Sequence, residues 1–388
     1  MEHRANNKNK RYAPSPLRYA DMRRRAEMKQ RVVVAMSGGV DSSTTAWLLK
    51  EKGYEVIGAT MCIGVMDRTQ GGPARCCGLA DIEDARRVAL QLEIPFYVFY
   101  LKDEFEKEVI QYFCEEYRKG RTPNPCILCN ERIKFGSFWE KAKAFEADII
   151  STGHYARLEF DDETDRYILK RGIDQKKDQS YVLFSLTQDQ LHHTLFPLGE
   201  YQKEEIRRKA LQLGLRVHDK PESQEVCFIH EPSYHSFLKE RLGESIKPGP
   251  IVDKKGVVLG KHKGIPFYTI GQRRGLNLAK GKPLYVIGID REKNVLVVGE
   301  EKEVYGDTFI VDSLSWITSR VMTLPFSAKV KIRYNHSGSE AVLSMKGEDE
   351  LEVRFKSPQK AITPGQAAVF YDGETVLGGG WIKEVLKS

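Results

Sequence analysis

At 388 residues the chain is longer than one typical domain and is expected to hold two or three. Its apolar content of 41% is ordinary, and no uninterrupted apolar run reaches the roughly 18–20 residues of a membrane span, so a soluble protein is expected. The net charge of +7 is uneven: residues 1–30 carry nine Lys/Arg against three Asp/Glu, leaving the rest nearly neutral. This leader contains the triplet Arg23–Arg25 and lacks the apolar core of a secretory signal. It fits a mitochondrial transit peptide only in part and reads as a basic arm or a solvated tail. Seven cysteines, an odd number spread along a long chain, point to a reducing cytoplasm and to thiol or metal chemistry rather than a disulfide scaffold.

In chain order, the apolar run Arg31–Met36 predicts a strand, followed by SGGVDSS (Ser37–Ser43) and a helix over Ser42–Lys52 that stops at Gly53. Glu55–Cys62, Ile94–Leu101 and Ala147–His154 predict further strands buried on both faces, and Asp81–Leu92 a second helix. Strands separated by helices imply a parallel sheet with right-handed crossovers. Cys114 falls in the helical stretch 104–119 and, like Cys62, reads as a packing residue. Tyr201–Leu213 predicts a helix ended by Gly214, and glycine-punctuated β segments with one helix near Ser233–Leu242 follow to about residue 300. From Val304 the chain reads as all-β. Ser327–Tyr334 alternates, with Val330, Ile332 and Tyr334 on one face and Lys329, Lys331 and Arg333 on the other, while Asp372–Gly373 marks a hairpin. A small terminal β-barrel closes such a pattern.

Two segments carry chemistry. In SGGVDSS, Gly38 and Gly39 let bare N–H groups approach a ligand, and Ser42 and Ser43 open a helix whose N-terminus favours an anion. The Lys of a Walker A loop is missing. The loop instead resembles the pyrophosphate loop (PP-loop) of ATP pyrophosphatases, which cleave ATP between the α- and β-phosphates. Thr152–His154 follows another strand and is expected to face the same nucleotide, since ligands bind beyond the carboxyl ends of parallel strands. The second segment, RTPNPCILCNERIKF (121–135), presents Cys126 and Cys129 from a proline-stiffened loop. Alone this pair supports a zinc half-site, a redox dithiol or part of an iron–sulfur site, and no second Cys-x-x-Cys completes a four-cysteine ribbon.

Together SGGVDSS, TPNPCILCN, STGHYAR (151–157), KDQSYVLF (177–184), SQEVCFI (223–229) and TIGQRRG (269–275) resemble, in order, the tRNA-specific 2-thiouridylases of the MnmA/TrmU family. The resemblance runs from Arg31 to Trp381 and leaves out only the leader. It implies an α/β PP-loop domain (31–221), a β-rich central domain (222–302) and a C-terminal β-barrel (303–388). It implies a cytoplasmic, ATP-dependent sulfurtransferase acting on the wobble uridine of tRNA through an adenylated intermediate, supplied by a sulfur-donor protein such as a cysteine desulfurase or relay protein. Carried over residue by residue, Ala35, Met36, Ser37, Gly38, Gly39, Val40, Asp41 and Ser42 surround the ATP phosphates, with Met61 and Gly153 completing the pocket and Asp41 holding Mg²⁺. Cys129 matches the nucleophile beside the target base, and Cys227 the cysteine that receives sulfur as a persulfide. Asn124, Pro125, Cys126, Lys177, Asp178, Gln179, Arg333 and Tyr334 match segments that contact tRNA.

Many members carry aspartate where this chain has Cys126, so a carboxylate is absent there and three thiols are present instead. Two mechanisms follow: a persulfide on Cys227 resolved by Cys129 through a transient disulfide, or a [4Fe–4S] cluster on Cys126, Cys129 and Cys227 whose open iron delivers sulfide. Cys126 favours the cluster. Another PP-loop tRNA-modifying adenylase, or a non-catalytic tRNA-binding iron–sulfur sensor, would explain part of the same inventory.

Overall fold

The computed structural model describes residues 29–64, 79–220, 226–229, 234–278, 282–318 and 325–386. Residues 1–28 of the basic leader, the Cys76–Cys77 pair and residues 223–225 of the SQEVCFI segment lie outside the described residues.

The first unit is a five-stranded parallel sheet in the order β3-β2-β1-β4-β7. Strand β1 (Arg31–Ala35) is followed by α1 (Val40–Glu51), β2 (Glu55–Cys62), α2 (Leu79–Gln91) and β3 (Phe96–Tyr100). Successive side chains of a strand point to opposite faces, and the valines of β1 divide accordingly between two cores. Val32 and Val34 pack with α1 and α2, whereas Val33 packs with the aromatic cluster of the other face. Strand β3 is not buried on both faces as expected: it is the sheet edge, with Tyr97 and Tyr100 exposed. Its apolar run is lengthened by aromatic rings whose tips reach water.

Two helices cover the second face. Residues 102–118 form α3 and residues 125–143 form α4, and each contains a π-helical stretch, Glu106–Ile110 and Cys129–Ser137. Strand β4 (Ile149–Ser151) is buried throughout. The chain then leaves the parallel sheet in a hairpin, β5 (Ala156–Asp161) and β6 (Arg166–Arg171), before β7 (Thr194–Leu195) and α5 (Lys203–Gln212) complete the unit.

After α6 (Tyr234–Leu242), strands β8 (Gly249–Val252), β9 (Val258–His262), β10 (Tyr285–Asp290) and β11 (Val295–Gly299) build a four-stranded sheet in the order β10-β11-β8-β9. The last unit comprises β12 (Tyr305–Trp316), β13 (Phe326–Lys331), β14 (Ser339–Met345), β15 (Leu351–Lys360), β16 (Ala367–Asp372) and β17 (Thr375–Leu386). The order β12-β15-β14-β13-β16-β17, with β17 pairing back to β12, is a closed six-stranded barrel.

The hairpin of the first unit joins this barrel. Strand β6 pairs with β17 at Lys170 opposite Thr375, and the Arg171 amide donates to the Glu374 carbonyl at 2.8 Å. The Arg166 Nε and Gln188 Nε2 groups both donate to the Ile317 carbonyl. One apolar cluster accordingly runs from Val33 through α3 and α4 to Val369, Tyr371 and Val376.

The alternation read over 327–334 holds only as far as the strand. Ala328, Val330 and Ile332 are buried and Lys329 is exposed, but β13 ends at Lys331, which is itself buried, while Tyr334 is exposed. Period two fails where the strand does.

Candidate active site

The 37–43 loop joins β1 to α1 at the carboxyl edge of the parallel sheet. Gly38 has φ +72°, and a Cβ there would lie 2.2 Å from the Asp81 carbonyl oxygen at the start of α2, so only glycine fits. Serine hydroxyls tie the turn: the Ser37 amide donates to Ser42 Oγ at 3.1 Å, and Ser42 Oγ donates to the Gly39 carbonyl at 3.2 Å. The Ser43 Oγ is buried without a partner. Met36 and Val40 are core side chains, so they can meet a nucleotide only through their backbone. A Cβ on Gly153 would lie 2.9 Å from the Ser42 amide nitrogen, so 152–154 does abut the loop, as expected. Ala35 is buried in β1 and Met61 is half-buried near the end of β2. Glycine turns, helix-start amides and an unsatisfied serine hydroxyl suit the phosphates of ATP. We expect Gly38→Ala to raise the KM for ATP roughly 100-fold, the effect of displacing a positioned loop by about an ångström. Initial rates of pyrophosphate release check it.

Three residues around this loop were not singled out from the sequence. Lys203, 5% exposed at the start of α5, donates to both carboxylate oxygens of Asp41 at 2.6 and 2.7 Å, and the Tyr155 hydroxyl donates to Asp41 Oδ1 at 2.8 Å. The Asp41 carboxylate, expected to hold Mg²⁺, therefore already has a lysine counter-ion and does not fit a dication as it stands. Lys220 donates to the Gly38 carbonyl at 3.1 Å and to Asp81 and Asp84 at 2.6 and 2.8 Å, fastening the loop to α2. A lysine at the opening of the predicted 201–213 helix was the only local signal for Lys203.

His154 turns inward. It is buried against Phe135 and Phe196, with Nδ1 2.7 Å from Thr152 Oγ1. Burial, aided by Lys134, holds its pKa well below the usual 6.5, so the folded protein keeps it neutral. The unfolded chain takes up the proton first. Stability from this group is complete above about pH 6.5 and falls below it, by up to ~1.4 kcal/mol per pH unit. Urea midpoints at pH 7.5 and 5.5 measure the fall, and His154→Gln should flatten it.

The cysteine segment is built on a helix start. Asn124 caps α4, its Oδ1 accepting from the Cys126 amide at 3.2 Å, and Pro125 occupies the first turn. Cys129 opens the π-helical stretch and is half-buried. Such stretches recur at functional sites. Cys126 is exposed, and desolvation by the surrounding protein pushes its thiol pKa up while Lys134 pulls the other way. Cys227 is exposed in a turn whose neighbours Val226, Phe228 and Ile229 pack into the same core that Cys129 borders. Phe228 is held edge-on by Phe105 and Phe113. Among the described residues no group of three Cys, His, Asp or Glu side chains is arranged to hold a metal ion. Cys114 is a buried packing residue, as expected, and burial pushes its thiol up to about 11, whereas Cys62, expected to be a packing residue, is buried but disulfide-bonded.

The segments expected to meet tRNA converge beside α4. Thr122 donates to Thr269 of the TIGQRRG loop at 3.1 Å, and Gln366 of the barrel donates to the Thr122 and Pro123 carbonyls, so all three units grip the residues before Asn124. The Tyr181 hydroxyl donates to the Ala367 carbonyl at 2.9 Å and is met by the Asn124 side chain. Tyr334 approaches the Tyr181 ring edge-on at 6.3 Å. Lys177 is half-buried; Asp178 is buried, its Oδ1 accepting from the Gly172 and Ser180 amides, and Gln179 exchanges hydrogen bonds with the Tyr155 backbone. Arg333 is half-buried, donating to the Lys360 carbonyl at 2.9 Å.

A phosphate loop at the carboxyl edge of a parallel sheet, with paired cysteines on the same unit and a β-barrel beyond it, is the architecture of a PP-loop nucleotide-using protein. The families described as tRNA methyl transferase HUP domain, tRNA methyl transferase PRC-barrel domain and aminomethyltransferase beta-barrel domain match residues 30–231, 235–300 and 306–382. A tRNA-specific 2-thiouridylase MnmA of Desulforamulus reducens is 50% identical over 93% of this chain and 99% of its own, and one of Heliobacterium modesticaldum is 53% identical over 92% and 93%. The chain belongs to the tRNA-specific 2-thiouridylase family. A U34-tRNA thiolase of Methanococcus maripaludis with a [4Fe–4S] cluster aligns over 56% of this chain and 67% of its own at 22% identity and TM-score 0.32, too distant a likeness for its cluster to be read onto these cysteines.

Proposed function

We propose that this protein replaces the 2-oxygen of the wobble uridine of tRNA by sulfur, with ATP activating the oxygen at the 37–43 loop. The observation that carries the reading is the joint placement of that loop, abutted by Gly153, with the Cys129 helix on the same parallel-sheet unit. A uracil carbonyl oxygen is a poor leaving group. Its attack on the α-phosphorus releases pyrophosphate and leaves an adenylated oxygen that departs readily as AMP. The terminal sulfur of a persulfide on Cys227 attacks C2, and AMP leaves with the former carbonyl oxygen. The Cys129 thiolate then attacks the Cys227 sulfur, freeing the thiocarbonyl and leaving a Cys129–Cys227 disulfide that an external dithiol reduces.

The persulfide route needs two thiols, and Cys129 borders the same apolar core that the neighbours of Cys227 pack into. Sulfur comes from a persulfide-bearing protein, a cysteine desulfurase or a relay, in the reducing cytoplasm. Asp41 acts by holding Lys203 and the start of α1 beside the phosphates, and Mg²⁺ enters with the triphosphate. Among the described residues no helix is long and apolar enough to cross a membrane. Incubation with ATP, Mg²⁺, a persulfide source and unmodified tRNA, followed by nucleoside mass analysis, should yield 2-thiouridine. Another modified nucleoside in its place would overturn the reading, and tRNA binding with no product would favour a non-catalytic role.

A further inference from the structure

An adenylated base has to span two places. Its α-phosphorus comes from the nucleotide at the 37–43 loop, while C2 of the same base takes sulfur at the thiols. The α-phosphate therefore lies where the nucleotide site and the thiol site meet. Negative charge gathers there twice. It builds on the phosphate oxygens as the base oxygen attacks and pyrophosphate leaves, and again as sulfur expels AMP. Such a place calls for a cation with nothing else to neutralise.

Lys134 stands at that junction. It belongs to the π-helical stretch Cys129–Ser137, in which an amide bonds to the carbonyl five residues back, as the Phe138 amide does to Ile133. The wide turn sets Lys134 one turn beyond Cys129, whereas an α-helix of about 3.6 residues per turn would carry it farther round the axis. Its neighbours in the chain fix its place. Ile133 is fully buried, and Phe135 packs against His154 and Phe196, with ring centroids 6.1 and 5.8 Å away. His154 follows Gly153, which abuts the Ser42 amide of the phosphate loop. The Lys134 charge accordingly acts on both sides, on the buried His154 ring and on the Cys126 thiol.

Two other lysines of the site are already engaged. Lys203 is paired with Asp41, and Lys220 with Asp81 and Asp84. Lys134 is half-buried, and among the described residues no carboxylate oxygen lies within 4.0 Å of its ammonium and no hydrogen bond holds it. A charge drawn partway into the protein with no partner costs free energy unless a bound group completes it.

We propose that Lys134 is a catalytic residue of the thiolation, its ammonium donating to a non-bridging oxygen of the nucleotide's α-phosphate as the base is adenylated and as AMP departs. The ammonium keeps its proton throughout, and only its hydrogen bonds tighten. This rests on the proposed thiolation of uridine.

Lys134→Met tests it, because methionine keeps most of the stem and removes the charge. We expect kcat for tRNA-dependent pyrophosphate release to fall roughly 100-fold, the effect of removing one preorganised donor from a developing anion. The KM for ATP and the Kd for tRNA should stay within about threefold, since the phosphate loop and the barrel are untouched. Lys134→Arg should restore much of the rate. Pyrophosphate release at the wild-type rate in Lys134→Met would overturn the phosphate contact, and slower alkylation of Cys126 by iodoacetamide would then give the lysine to the thiol. Equal losses in Lys134→Met and Lys134→Arg, with a lower thermal midpoint in both, would overturn it in favour of a packing role. In either case wild-type protein still forms 2-thiouridine, so the proposed function stands. Wild-type protein that forms none would overturn both.

Discussion

Cys227→Ser is expected to stop sulfur insertion, with 2-thiouridine formation down roughly 10³-fold or more, the scale seen when a nucleophile is removed. tRNA-dependent release of pyrophosphate from ATP should stay within about tenfold of wild type. The split follows from where the residue sits. Its side chain is exposed in a turn, while Val226, Phe228 and Ile229 hold that turn in the core beside α3. Serine fits the same place, so the fold and the phosphate loop are undisturbed, but a hydroxyl cannot carry a sulfane sulfur. Nucleoside analysis and a pyrophosphate assay on the same samples measure both halves. Thiolated product at near wild-type level from the variant would remove Cys227 from the sulfur path.

Asp41→Asn should be severe in a different way. Lys203 is almost fully enclosed and has both Asp41 oxygens as acceptors, with Tyr155 on the same carboxylate. Neutralising the aspartate strands a buried ammonium, which costs about 3 kcal/mol, and misplaces the first turn of α1 beside the phosphates. AMP transfer should fall roughly 100-fold or more. The control is the double variant Asp41→Asn with Lys203→Met. Deleting both charges should recover most of the lost stability but none of the AMP transfer, because the pair and not either charge alone is what the fold tolerates. Additive losses in the urea midpoints would show that the two residues do not act as a pair.

What was legible in the sequence was local. Helix limits at Gly53 and Gly214, the phosphate turn around Gly38 and the hairpin at Gly373 are written in a few consecutive residues, and the structure places them within a residue or two. Contacts made across long stretches of chain were not. Lys203 meets Asp41 across 162 positions, and Lys220 meets Gly38 across 182. Strand periodicity placed Lys331 on one face with Lys329 and Arg333, but the strand stops at Lys331, which is buried with its ammonium 5.7 Å from the Tyr181 ring of another unit. The π-helical turns that begin at Cys129 have no simple residue signature. The site residues were thus named more readily than the side chains that hold them in place.

The hairpin formed by β5 and β6 has a consequence for how this protein can be taken apart. It belongs by chain order to the ATP-binding unit, yet its second strand, β6, is hydrogen-bonded into the barrel, and Arg157 reaches Glu374 at 2.6 Å. A fragment ending near residue 302 would expose β6 as an open edge, uncover the aromatic face under Tyr371 and present a template for strand addition between copies. The three sequence families that tile the chain therefore mark units of descent, not units that can be expressed singly: fragments cut at those borders should self-associate, whereas the intact chain closes on itself.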